Sequence, residues 1–309
     1  MWTSPIPIHL SHDLAAAGKR RDYLSRRARP PSNDLIRLLR GAYVQRQDLE
    51  GLSHARAHEV SIHAARLTGL LTEGAVLARE SAAVMLGIPL VGALPHQVQV
   101  VRRGRDGGRS TPGVRTLRAS GDYQSLTRDG VEISSVAQTL ADLARRRPLW
   151  SVLPGLDAML RSGQVTKDQI TSLASPGSHG RTRLLHAVAV ADPASESVGE
   201  SLSRAVMIEE NVPLPELQET VRSAQGEFLG RVDFIWPQAG VIGEFDGHVK
   251  YSGQLTGRNL DTVLLDERRR EIDIERATGM RVVRWLWEDA FKRTGMLRVL
   301  ADVGIRPVH

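Results

Sequence analysis

The clearest apolar and polar alternation lies in the C-terminal third. From Arg231 to Lys250 the chain reads "RVDFIWPQAGVIGEFDGHVK", two alternating runs around "PQAG", which predicts a β-hairpin closed by the four-residue loop Pro237 to Gly240. In that register Trp236 faces Val241, Ile235 faces Ile242, Phe234 faces Gly243 and Asp233 faces Glu244. Val232, Phe234, Trp236, Val241 and Phe245 then share one apolar face, and Arg231, Asp233, Ile235, Ile242, Glu244 and Asp246 share the other. Around the hairpin, "SESVGESLSRAVMIEENVPLP" predicts a helix ended by Pro213, and "LDERRREIDIERATG" an amphipathic helix stopping at Gly279 with Glu267 to Glu271 on its solvated face. "MRVVRWLW" predicts a third strand with Trp285 and Trp287 as core residues, and "EDAFKRTGMLRVLADVG" a closing helix. The order α-β-β-α-β-α predicts a compact α/β domain whose last strand returns to the sheet by a helical crossover.

Upstream the pattern is weaker. Residues 10–50 hold two short helical stretches, a polar break at "RPPSND", and "LIRLLRGAYVQ", which predicts two short strands around Gly41. This is the order of a small winged helix. In residues 95–190, "HQVQVVRR" and "GVRTLRA" predict strands flanking the basic loop "GRDGGRSTPG", read as a hairpin, with "VEISS" a third strand. "SVAQTLADLARRR" predicts a helix with Val136, Leu140 and Leu143 inward. A linker is expected in "SLASPGSHG", Ser172 to Gly180, where Ser, Gly and Pro cluster.

Composition narrows the chemistry. The 309 residues are 41% hydrophobic and 25% charged, enough for more than one core, and there is no cysteine, which excludes disulfides, thiolate metal sites and cysteine nucleophiles. The start "MWTSPIPIHLSHDL" lacks the basic and continuous apolar character of a signal peptide, and no run is suited to span a bilayer, so a cytoplasmic setting without membrane is expected. Charge is unevenly spread: residues 1–190 hold 26 Lys and Arg against 15 Asp and Glu, a net +11, and residues 191–309 hold 15 against 20, a net −5. The second helix, "KRRDYLSRRAR", carries Lys19, Arg20, Arg21, Arg26 and Arg27, which with Arg40 are the candidate contacts to the phosphates of double-stranded DNA. A solvated charged helix is the alternative.

The acids of the hairpin are the candidate chemistry. Opposed strand residues have Cβ atoms about 4.5–5.5 Å apart, and like charges so placed repel. A divalent cation relieves this, since Mg²⁺ takes oxygen ligands from one or two carboxylates, water and substrate phosphate. Alternatively Arg231 faces and neutralises Asp246, and the remaining acids sit at an exposed edge. Glu196 and Glu200 lie four residues apart on the preceding helix, and Arg204, four residues after Glu200, is placed to form a surface ion pair with it. His248 adjoins the hairpin.

Two resemblances follow from these residues. "LLRGAYV", with Arg40, Gly41 and Tyr43, followed by "LARESAAVMLGIPL", resembles the winged-helix domain at the N-terminus of abortive-infection (AbiEi) antitoxins. An acid-bearing helix, "RVDF", "GEFDGHVKY", then "DERRREIDIERATG" and "MRVVRW" resemble the PD-(D/E)XK nuclease superfamily, in its very-short-patch-repair (Vsr) endonuclease branch of actinobacterial type. That likeness implies a restriction-endonuclease-like domain dependent on Mg²⁺ or Mn²⁺, with Asp233 and Glu244 as metal ligands and Glu200, or Glu196 one helical turn before it, as outer acid. The superfamily's lysine position is occupied by Asp246, and Lys250 is the residue that can take over that role.

The fold expected is therefore α/β and multidomain: a winged helix over 1–92, an α+β middle region over 93–190, and an endonuclease-like mixed sheet flanked by helices over 191–309. Two functions remain open, a metal-dependent endonuclease acting on double-stranded DNA and a non-enzymatic regulator or antitoxin-like protein with a degenerate nuclease domain. A homodimer is open as well.

Overall fold

The computed structural model describes residues 3–16, 22–102, 110–119, 122–223, 225–247 and 260–308. Its α/β chain divides into two compact units, Met1–Arg146 with Val165–His186, and Arg147–Gln164 with Ala187–His309.

In the first unit, β1 (His9–Leu10), α1 (Ser11–Ala16), α2 (Tyr23–Arg27), β2 (Leu35–Leu39) and β3 (Ala42–Gln45) build an antiparallel three-stranded sheet in the order β1-β3-β2. The two strands expected around Gly41 are present, and Gly41 turns the chain at φ 88°, a conformation that disfavours any Cβ. Then come α3 (Arg46–Glu50), α4 (His54–Leu67), β4 (Ala75–Leu77), α5 (Arg79–Leu86), β5 (Val98–Arg102), β6 (Val114–Leu117), β7 (Ser125–Arg128), β8 (Val131–Ser134) and α6 (Val136–Ala144). The five strands form a mixed sheet, β6-β5-β4-β8-β7. β5 and β6 run parallel, so the basic segment between them is not the loop of a hairpin; its residues 103–109 lie outside the described ones.

The division expected at residue 92 runs through this sheet. β4 pairs with both β5 and β8, and Leu39, Ala42, Ile62, Leu77, Val98, Val100 and Ile133 belong to one buried cluster. Apolar side chains from both sides of position 92 are buried in one core, which joins the two regions.

The second unit begins with α7 (Leu149–Arg161), after which α8 (Lys167–Thr171) returns to the first unit and α9 (Arg181–Val190) contains the final division, at His186/Ala187. The linker expected at Ser172–Gly180 is therefore not the boundary. It follows α8, whose capping box Thr166/Gln169 is complete, and precedes α9. α10 (Val198–Glu209), β9 (Glu216–Arg222), β10 (Phe228–Trp236), β11 (Val241–Asp246), α11 (Leu260–Thr278), β12 (Arg281–Leu286), α12 (Trp287–Phe291) and α13 (Thr294–Asp302) complete the unit. Its sheet has the order β12-β11-β10-β9, antiparallel except for β11 and β12, which α11 joins as a parallel crossover.

The hairpin register is as the alternation predicts: Phe234 pairs with Gly243, Ile235 with Ile242 and Trp236 with Val241. A 3₁₀ turn over Pro237–Ala239 and a left-handed Gly240 (φ 63°) close it. Both faces are cores near that turn. On the α10 side Phe234 stacks on Trp285 with ring centroids 5.2 Å apart, Trp236 packs tilted against Phe234, and Trp285 Nε1 donates to Ser203 Oγ at 2.8 Å. Ile235 and Ile242 pack with Ile274 of α11. α10 ends at the Glu210 cap with Asn211 in the left-handed region (φ 53°), two residues before the expected stop at Pro213. Trp287 opens α12 rather than continuing the strand and is partly exposed, stacked on Phe291.

Buried ionic contacts tie α7 to α10. Arg204 donates from Nη1 to Asp157 Oδ2 at 3.0 Å and from Nη2 to the Val190 carbonyl at 2.8 Å, while the Asp192 N–H donates to Asp157 Oδ1 at 2.8 Å. The surface pair expected between Arg204 and Glu200 is thus replaced by an internal one with a partner 47 residues away. Among the described residues no helix is long and apolar enough to cross a membrane.

Candidate functional site

The site is built where the N-terminus of α10 meets the ends of β10 and β11. Ser197 caps α10, its Oγ accepting from the Glu200 N–H at 3.1 Å, and the Glu200 carboxylate reaches back to accept from the Glu196 N–H at 2.8 Å. Glu196 precedes the helix instead of lying one turn before Glu200 on it, and its carboxylate pairs with Arg231. Gly199 allows the approach of the sheet, since a Cβ there would clash with the Phe245 ring.

Glu200 and Asp233 lie side by side. The Gln218 side-chain amide donates to Glu200 Oε2 at 2.9 Å and to Asp233 Oδ1 at 3.3 Å, while the Phe245 N–H donates to Asp233 Oδ2 at 2.9 Å. Burial holds the Glu200 carboxyl above the usual carboxylate range and the nearby Asp233 charge adds to the rise, against the lowering from Ser197, the Glu196 N–H and Gln218. Gln218 itself has φ 56°, uncommon for a residue other than glycine, and such conformations concentrate at functional sites.

Glu244 sits across the same cavity, of about 480 Å³, which Glu196, Glu200, Asp233 and Asp246 also line. Its carboxylate is largely buried and held by two guanidiniums, Arg270 of α11 at 3.3 Å on Oε1 and Arg284 of β12 at 2.9 Å on Oε2. Arg284 Nε also lies 3.2 Å from Glu271 Oε2, and Arg270 donates to the Arg231 carbonyl at 2.7 Å. The positions read as the solvated face of the crossover helix, Arg270 and Glu271, therefore turn toward the site.

Of the candidate residues, Glu200, Asp233, Glu244 and Asp246 line one cavity; Lys250 and His248 lie outside the described residues. Arg231 does not neutralise Asp246, being engaged by Glu196. Sequence reasoning missed Gln218, Arg270 and Arg284. Only Arg284 left a signal, because the parallel register puts it beside Glu244. The donor chemistry fits a hard divalent cation, carboxylate oxygens around an open polar cavity. Among the described residues no three metal-ligating side chains converge as they stand, because Glu244 is turned to Arg270 and Arg284.

In the first unit the basic candidates are unequal. Arg26 is exposed and paired with Asp22 at 3.2 Å, and Arg40 is exposed in the Gly41 turn. Arg27 is ion-paired with Asp34 and lies 5.8 Å over the Tyr23 ring, which occupies it within the fold. Lys19, Arg20 and Arg21 lie outside the described residues.

No family model matches the chain. Two Mycobacterium tuberculosis proteins, the uncharacterized protein MT2308 of strain CDC 1551 / Oshkosh and the uncharacterized protein Rv2248 of strain ATCC 25618 / H37Rv, are each 31% identical over 231 residues, covering 71% of this chain and 76% of theirs. The chain belongs to the family of these mycobacterial proteins. Among solved structures, the RV2827C protein from Mycobacterium tuberculosis is similar at 15% identity and a TM-score of 0.38, over 71% of this chain and 84% of that one.

Proposed function

We propose that the protein binds double-stranded DNA in the cytoplasm and hydrolyses its phosphodiester bonds, through a PD-(D/E)XK endonuclease domain of the Vsr-like branch and an AbiEi-like winged helix. The observation that carries this reading is that Glu200, Asp233, Glu244 and Asp246 line one cavity, beside the strands of a hairpin. Asp233 and Glu244 are the residues to hold Mg²⁺ or Mn²⁺. When bound, that ion supplies polarisation of the phosphodiester and an acidified water. Glu200, bridged to Asp233 by the Gln218 amide, stands beside it as the outer acid. Lys250 is assigned the cationic role that Asp246 cannot fill. The basic balance of residues 1–190 supplies the hold on a polyanion that an acidic site cannot.

Cleavage of plasmid and mismatched duplexes with Mg²⁺ or Mn²⁺ tests this. Asp233→Ala and Glu244→Ala should each lower the rate by about a hundredfold or more, the scale of losing one preorganised electrostatic group. Equal cutting by all three proteins would remove this site from the mechanism.

A specific interaction favours a second reading. Glu244 already has two cationic partners, and the superfamily's lysine position holds an acid. Both fit a DNA-binding regulator or antitoxin-like protein with an inactive nuclease domain. On this reading DNA affinity needs no divalent metal, and changing Lys19, Arg20 and Arg21 together to glutamine should reduce the slope of log affinity against log salt by about 3, roughly 0.9 for each phosphate no longer neutralised. An unchanged slope in a titration from about 50 to 200 mM salt would discard these residues as the DNA-binding set.

A further inference from the structure

We propose that Arg270 and Arg284 form a cationic lock on Glu244, which a phosphate group opens so that anion and divalent cation enter the site together. The inference rests on the endonuclease reading above and adds to it the order in which the site fills.

Glu244 is largely buried, so its carboxylate requires compensation wherever it stands. Arg270 and Arg284 provide it with one guanidinium on each oxygen. A cation approaching Glu244 meets two positive groups and a carboxylate already engaged. On the other side of the cavity the Gln218 amide, a neutral donor, bridges Glu200 and Asp233, and the Phe245 N–H, also neutral, holds the second Asp233 oxygen. Neutral donors leave the charge of a carboxylate in place, whereas guanidiniums cancel it. Glu244 is therefore the acid held back from an incoming cation.

Guanidinium forks bind phosphate as well as carboxylate. Both arginines line the cavity and are partly exposed, so an anion reaching it meets their donors directly. If a phosphate takes one or both forks, Glu244 loses its compensation and becomes available to a cation. The cation in turn neutralises Glu244 and leaves the forks to the phosphate. Each ligand raises the other's affinity by the same factor. A protein so built does not load metal fully until a phosphodiester is present.

The test is metal binding, with no cleavage readout. Mn²⁺ affinity is measured by calorimetry on the full chain, with and without inorganic phosphate, keeping free Mn²⁺ equal. For the wild-type protein, phosphate should tighten Mn²⁺ binding by about tenfold, within the usual range of coupling between sites. Arg284→Gln and Arg270→Gln should tighten Mn²⁺ binding without phosphate by a similar factor and abolish the effect of phosphate. Arg231→Gln removes a positive charge from the same cavity without touching Glu244, and should do neither. Arg284→Lys, which keeps the charge and loses the fork, should retain only part of the coupling.

Equal tightening by Arg231→Gln would reduce the effect to general electrostatics and overturn the lock, as would wild-type affinity indifferent to phosphate. Circular dichroism spectra matching wild type establish that the variants are folded; a variant that is not is replaced by the other arginine's. Mn²⁺ binding in none of the proteins, with or without phosphate, would overturn the lock together with the metal-dependent reading. Binding in all of them without coupling would overturn the lock alone.

Discussion

Arg204→Met should destabilise the protein by roughly 3–5 kcal/mol, the usual scale for removing one partner of a buried ion pair. Arg204 and Asp157 are both buried, and Arg204 is the only guanidinium the described residues bring within ion-pair distance of that carboxylate. Methionine fills most of the volume, so the loss is chiefly electrostatic. Burial pushes the Asp157 carboxyl up to about 6, and Arg204 is the main influence pulling it back down. Without Arg204 it rises further. The penalty should therefore be larger at about pH 8, where the carboxyl must ionise in the interior or hold a proton against solution, than at about pH 5, where protonation is easy. Urea denaturation at both pH values measures this, and an equal penalty at the two would refute the electrostatic account. In the wild-type protein the folded Asp157 value lies above the unfolded one. Its contribution is full below about pH 4 and is lost as pH rises through about 6.

Trp285→Ala should cost about 3–5 kcal/mol, the range for a large aromatic lost from a core. Among the described residues Trp285 is the largest fully buried side chain; it stacks on Phe234, covers Gly243 and donates to Ser203 on α10. Its removal opens a cavity between the sheet and the helix that carries Glu200. Loss of stability should thus be accompanied by altered metal or phosphate binding at the site, while Trp285→Phe should keep most of the packing and lose only the Ser203 bond. A midpoint in urea unchanged by the alanine substitution would contradict this assignment of the core.

The parts of the fold legible in the chain were those set by local alternation and turn chemistry. "PQAG" between two runs of period two fixed the hairpin register, and with it which acids share an end of the sheet. Gly279, at φ 68°, marked the end of α11 as its position in the sequence indicates. What escaped depended on distant pairing. β4 is three residues long, too short for periodicity, and is a strand because β5 and β8 flank it. Arg204 read as a surface partner of Glu200 because only local spacing is visible in a sequence, whereas Asp157 reaches it through the packing of α7 on α10. Arg270 read as solvated in a helix so rich in charge that its inward side could not be separated from its outward one. Gln218 gave no signal, since nothing in "ELQETVR" distinguishes the glutamine whose amide bridges two carboxylates.

The excursion of residues 147–164 into the second unit limits how the protein can be taken apart. A fragment starting at residue 191 retains Arg204, Glu200, Asp233 and Glu244 but discards Asp157 together with the helix that covers α10. Such a piece would expose apolar surface and strand a buried cation, so an inert fragment would say nothing about the chemistry of the intact chain. An excised version needs α7 joined to residue 187 by a short polar tether, or the whole polypeptide must be kept.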